Sequence, residues 1–215
     1  MTDSTISITG NSVREMDNDV LSISFAVTVE SKDSNEVQTQ MRQAVHAALQ
    51  TVRPYLKVGE VDVQSDVFRV QPRYAKTNQK IDGYVGNASI TVKGTDTATI
   101  SKIASEITTM VVAGSTNSMS RKQRTSVEAE LTQEAIADFR AKADAAAFGF
   151  NAKGWTVGEV SIDVRDNTPR FGKMMMGASA SDESAPMAVE GGKSEVSVYV
   201  RGTIVLGKAA RPAKK

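Results

Sequence analysis

Leu21-Ser22-Ile23-Ser24-Phe25-Ala26-Val27-Thr28-Val29-Glu30 is the stretch that decides the fold class. Leu21, Ile23, Phe25, Val27 and Val29 point one way, while Ser22, Ser24, Thr28 and Glu30 point the other. Period two sustained over that length means a strand in a sheet with one buried face. On its N-terminal side, Glu15 to Asp19 reads as a polar turn. Thr5 to Gly10, where Ile6 and Ile8 alternate with polar residues, reads as a short first strand. On its C-terminal side, Asp33 and Glu36 have the spacing of a capping box. Val37, Met41, Ala44, Val45, Ala48 and Val52 then form an apolar stripe at helical spacing, and Pro54 discourages continuation.

Two strand-like runs follow, Val61 to Arg73 and Tyr84 to Lys93, joined by the polar stretch Ala75 to Asp82. They read as a hairpin with a basic tip, and a slip of apolar parity between Val67 and Phe68 predicts a bulge. Asp96 is a good N-cap for a second helix carrying Ile100, Ile103, Ala104, Ile107 and Val111, which Gly114 would end. Ser115 to Arg124 is polar, with room for a short edge strand. Thr125 and Glu128 suggest a further capping box. The third helix has Val127, Leu131, Ala135, Phe139 and Ala143 four apart, with Gly149 near its end. Trp155 to Val164 and Glu195 to Leu206 read as strands, the latter with Val196, Val198, Val200, Ile204 and Leu206 on one face. Between them, residues 165–193 form a long Met-, Gly- and Ser-rich loop containing Met174, Met175 and Met176, without helical or strand periodicity. Lys208 to Lys215 is a basic tail expected to be disordered. The expected fold is α+β: a single domain over residues 1–207, with a largely antiparallel or mixed sheet and about three helices on one face.

The chain has 215 residues, 40% of them hydrophobic, so a packed core is attainable. Only 5% are aromatic, which leaves the core to aliphatic side chains and Met. Lys and Arg number 26 against 25 Asp and Glu, a balance that argues against a dedicated nucleic-acid binder. The absence of cysteine excludes disulfides, zinc–thiolate sites, iron–sulfur clusters and thiol nucleophiles. Met1 to Gly10 reads without the basic start and apolar stretch of a signal peptide, so the chain is expected to be cytosolic or a mature form with an added Met1. No run approaches the ~20 apolar residues of a membrane-spanning helix.

Several landmarks resemble the SIMPL-domain family, also called domain of unknown function 541. Ile6-Ser7-Ile8-Thr9-Gly10 is similar to that family's first strand and glycine. Val63 to Tyr74, with Pro72, Tyr74 and then Gly83-Tyr84, is similar to its central hairpin. Glu134 to Gly149 resembles its Ala-rich helix, and Val157-Gly158-Glu159-Val160 the strand start that follows. The Met- and Ala-rich loop leading to Pro186, Gly191-Gly192 and Glu195-Val196-Ser197-Val198 is similar to its C-terminal region. The family's Pro-Asp before the second strand is replaced by Asn18-Asp19, and its Gly-x-Gly opening is reduced to Gly10. The resemblance implies a bacterial cell-envelope protein, periplasmic or outer-membrane associated, able to build homo-oligomeric ring- or channel-like assemblies and linked to oxidative-stress tolerance. It implies no catalytic residues and no cofactor.

The residues themselves offer few competitors. His46, the lone histidine, sits beside an apolar helical stripe with no sequence signal for a positioned partner. Glu15, Asp17 and Asp19 lack calcium-loop spacing, Asp62 and Asp66 share no face once the bulge intervenes, and Gly191-Gly192 before Lys193 is no phosphate loop. No catalytic, cofactor-binding or metal site is therefore assigned. Arg69, Arg73, Tyr74 and Tyr84, with Lys76 and Lys80 nearby, are candidate contact residues on the hairpin. Met174, Met175 and Met176 are candidates for adaptable contacts on the loop, or for oxidation. Three functions follow from these features. A non-enzymatic homo-oligomeric envelope scaffold, with peripheral membrane association open, ranks first. A monomeric or dimeric module binding a small ligand, peptide or lipid is the alternative. A hydrolase is least favoured.

Overall fold

The alternating stretch becomes the middle of β2 (Val20–Ser31) in the computed structural model, which describes residues 4–75, 80–167 and 192–207. The chain forms two compact units. Both are α+β with exclusively antiparallel pairing among the described residues, and three α-helices are shared between them. The single expected sheet is thus two sheets.

One unit spans Asn18–Ser118. It holds β2, α1 (Ser34–Val52), β3 (Val61–Tyr74), β4 (Ile81–Gly94), α2 (Thr97–Glu106) and β5 (Val111–Ser118), with strand order β3-β4-β2-β5. Leu21, Ile23 and Phe25 of β2 and Ile90 and Val92 of β4 are buried against Ala48 and Val52 of α1 and Ile100 and Ile103 of α2. Both helices therefore cover one face. Val37 and Met41 come so close to β4 that a Cβ on Gly86 would stand 2.1 Å from the Met41 sulfur. Asp33 caps α1 by accepting from the Asn35 N–H at 2.8 Å, but Glu36 does not complete the box; it accepts from the Ser31 hydroxyl at 2.5 Å.

The second helix is shorter than its apolar spacing suggests. It ends at Glu106, Ile107 turns extended while staying buried, and Val111 opens β5 with its side chain 71% exposed. Gly114 lies within β5 rather than at a helix cap.

The other described unit comprises residues 4–17, 119–167 and 193–207. It is built from β1 (Thr5–Asp17), α3 (Arg121–Gly149), β6 (Trp155–Asn167) and β7 (Lys193–Leu206), with strand order β1-β7-β6. The polar run at Glu15 to Asp17 continues β1 instead of turning, because it pairs with Lys193 to Glu195 of β7. The third helix starts at Arg121 with Ser120 as its N-cap, a turn earlier than the Thr125 signal indicates. Val127, Leu131, Ala135, Phe139 and Ala143 pack against Val196, Val198, Val200 and Ile204 of β7, and Ala147 extends the buried stripe of the helix. Trp155 packs edge-on to Phe139, with ring centroids 6.4 Å apart, and donates its indole N–H to Asp144 at 2.7 Å.

The approach of α3 to β1 explains the glycine of the first strand. A Cβ on Gly10 would lie 2.3 Å from the Ala135 carbonyl oxygen and 2.5 Å from the Phe139 nitrogen. Two residues on, the buried Ser12 hydroxyl donates to the Leu131 carbonyl at 2.7 Å. The Met-rich segment, including Met174, Met175 and Met176, and the basic tail lie outside the described residues.

Candidate interaction surface

The β3–β4 ladder runs from Val61 opposite Gly94 to Tyr74 opposite Ile81. Its register shifts between Ser65 and Val67, so Asp66 is the extra residue, one position before the parity slip visible in the sequence. The Asp66 carboxylate accepts from the Thr91 hydroxyl at 2.5 Å. Beyond the bulge, Phe68 and Val70 share the helix-covered face with Ala88 and Gly86, whereas Val67, Arg69, Gln71 and Arg73 turn to the opposite face. Because β3 is an edge strand, Phe68 stays 51% exposed even on the covered side. Val67 is 47% exposed, and Tyr74 and Ile81 at the hairpin's far end are 58% and 52% exposed.

The candidate contact residues of this hairpin do not form one patch. Arg73 is held between two carboxylates, Glu30 and Asp82, the latter 3.1 Å from Nε. The Asp82 hydrogen bond, more than any other cause, raises its guanidinium above the ordinary value. Its charge is thus matched by the protein's own acids. Arg69 is exposed on the same face. Tyr84 is half-buried and packs against the Val37, Met41 and Ala88 cluster on the helix side. Tyr74 is the exposed aromatic of the pair. Lys76 lies outside the described residues.

The remaining sequence candidates are scattered. His46 lies on the exposed face of α1, beside a cleft of about 460 Å³ lined by Thr39, Arg42 and Gln43, and its Nε2 is 3.3 Å from the Gln50 amide nitrogen. A second cleft of about 340 Å³ is lined by Ala26 to Thr28 and Thr108 to Val111, where β5 stops pairing with β2. Glu15 faces Lys193 at 3.9 Å across the β1–β7 ladder, and Asp62 accepts from the Val63 N–H. Among the described residues no group of three His, Asp or Glu side chains is placed to hold a metal ion, and no helix is long and apolar enough to cross a membrane.

In the β1-β7-β6 unit the charged groups tie α3 to β1. Arg14 reaches Glu130 and Glu134, both at 2.5 Å. Asp138 accepts from Lys142 Nζ at 2.7 Å and from the Asn11 N–H at 2.9 Å, and Lys142 also donates to the Thr9 carbonyl at 2.9 Å. The Lys142 hydrogen bond, followed by that from Asn11, holds the Asp138 carboxyl below its ordinary range.

The surface that sequence reasoning missed is on β6. Val157, Val160, Ile162 and Val164 pair with Ile204, Gly202, Val200 and Val198, so they lie on the face that α3 covers over β7. The cover stops short of them: they are 57%, 40%, 50% and 39% exposed. The signal was the alternation resuming after Gly158-Glu159, but alternation alone does not say whether a strand is central or at an edge. Comparison with known proteins gives a family match. A family model, SIMPL, described as "Protein of unknown function (DUF541)", covers residues 6–204. No curated protein matches the chain.

Proposed function

The chain belongs to the SIMPL family of proteins of unknown function, and from that premise we propose that it is a non-enzymatic scaffold that assembles with copies of itself. The observation that carries this reading is the β3–β4 hairpin, which keeps Val67, Phe68, Tyr74 and Ile81 between 47% and 58% exposed. Val67, Phe68 and Tyr74 lie on β3, an edge strand of its sheet, and apolar side chains along such an edge suit pairing with another chain. The assemblies are ring- or channel-like and belong to the bacterial cell envelope, in keeping with the family resemblance. A role in oxidative-stress tolerance would draw on methionine oxidation, since the chain has nine Met and no Cys. A small-ligand module would be expected to offer an enclosed apolar pocket with a few convergent polar groups. The cleft beside His46 is instead lined by Thr39, Arg42 and Gln43 of a helix surface.

Light scattering on a size-exclusion column, run at several protein concentrations, tests the reading. A discrete species many times the 23.0 kDa chain mass is expected, and Phe68→Asp together with Tyr74→Asp should lower that mass. A concentration-independent monomer would overturn it.

A further inference from the structure

We propose that the edge of β6 that pairs with no other strand among the described residues is self-complementary and pairs antiparallel with β6 of a second copy, about a two-fold axis at Ile162. This inference rests on the self-assembly reading and names one interface within it.

An edge strand leaves one side of its backbone hydrogen-bonding groups unpaired, and proteins usually blunt such edges with charge or Pro. Between Val157 and Val164 the α3-side face of β6 carries no charge to do this. It carries the four exposed aliphatics Val157, Val160, Ile162 and Val164. A second β6 can satisfy the edge in few registers, because residues directly opposite in an antiparallel pair must share a face. Centring the pair on Ser161 sets Glu159 against Asp163, and centring it on Asp163 sets that carboxylate against itself. Both place like charges in contact, which is destabilising. Centring on Ile162 sets Ile162 against itself, Val160 against Val164, Ser161 against Asp163 and Glu159 against Arg165. The apolar row then meets its own copy on one face, and two Glu–Arg pairs form on the other.

Arg165 is already aligned for this. It stacks over the Tyr199 ring, 5.2 Å from the centroid, and its Nε lies 3.1 Å from Asp163, on the face that Glu159 shares. The two-fold axis is normal to the sheet, so both β1-β7-β6 sheets join into one of six strands with both α3 helices on the same side. The apolar row becomes the floor between those helices, which is where each unit alone leaves it uncovered.

The chain contains no cysteine, so a single introduced thiol can pair only with its own copy. Opposed Cα atoms in an antiparallel pair are about 4.5–5.5 Å apart, within disulfide reach. Treated with diamide, the full-length Ile162→Cys variant should give a disulfide-linked dimer on a non-reducing gel. Thr156→Cys, whose two copies would be roughly 40 Å apart in this register, should not. Glu159→Arg and Arg165→Glu should each lower the assembled mass at low protein concentration, and the double variant should restore it. Absence of the Ile162→Cys cross-link, or single swaps without effect, in a chain whose wild type still assembles would overturn the β6 pairing alone. A wild type that stops at a dimer and cross-links at Ile162→Cys would support the pairing and sink the ring-like reading; a monomeric wild type would sink both.

Discussion

Asp138 shows what a single carboxylate does at the α3–β1 seam. It joins a helix side chain, Lys142, to a strand N–H, that of Asn11, in one hydrogen-bonded set. Its acidity is strengthened in the folded state, so the native protein takes up this proton less readily than the unfolded chain. The contribution to stability is therefore complete above the unfolded carboxyl value of about 4 and fades as pH falls through the lowered native value. The side chain is partly solvent-exposed, so the effect should not exceed about 1 kcal/mol. Urea unfolding of wild type and Asp138→Asn should show a constant gap from pH 5 to 8 that closes below pH 4. A gap that widens with acid would contradict this account. None of it was legible in the sequence, where Asp138 looks like one more solvated helix residue. Gly10 was legible as a landmark, but its reason, backbone packed against the backbone of Ala135 and Phe139, needed the partner helix.

At the scale of elements, the strongest periodicities translated directly into structure. The four-residue spacing from Val127 to Ala143 is the buried stripe of α3, extended by Ala147. Such a stripe is a single i±4 ridge, narrow because the helix lies over β1 and β7 with small residues at the closest approach. Ala135→Leu should therefore overpack the seam against Gly10 and cost about 1–3 kcal/mol, read as a fall in melting temperature. Ala137→Leu, exposed on the same helix, should leave stability nearly unchanged. Equal effects would mean that the seam can yield. The failure at α2 is as informative. Ile103, Ile107 and Val111 fit a helix, yet the β-branched residues Thr108, Thr109, Val111 and Val112 favour extended backbone. The Thr109 hydroxyl donates to the Ala44 carbonyl, which ties this turn to α1. Periodicity could not weigh that contact, because it lies on another element.

For the whole molecule, period two announced antiparallel strands with one buried face and so fixed the α+β class. It could not say which strands pair. Thr5 lies opposite Val205 and Val61 opposite Gly94, and nothing in either run marks its partner as distant or near. The expectation of one sheet failed on that point. The consequence is an unequal division of the chain: one unit gathers three separated segments, whereas the other draws all its described helices and strands from the single run Asn18–Ser118. That run contains four strands, both covering helices and the full Leu21, Phe25, Ile90 and Ile103 cluster. At roughly 100 residues it has the size of an ordinary domain. Residues 18–118 expressed alone should therefore fold, with a mixed α and β circular dichroism spectrum and a single cooperative thermal transition. Phe25→Ala in that fragment removes a side chain only 1% exposed and should cost about 3–5 kcal/mol, enough to abolish most of the transition. A fragment with a coil spectrum, or a melt indifferent to Phe25→Ala, would mean that the 18–118 core depends on the rest of the chain for its packing.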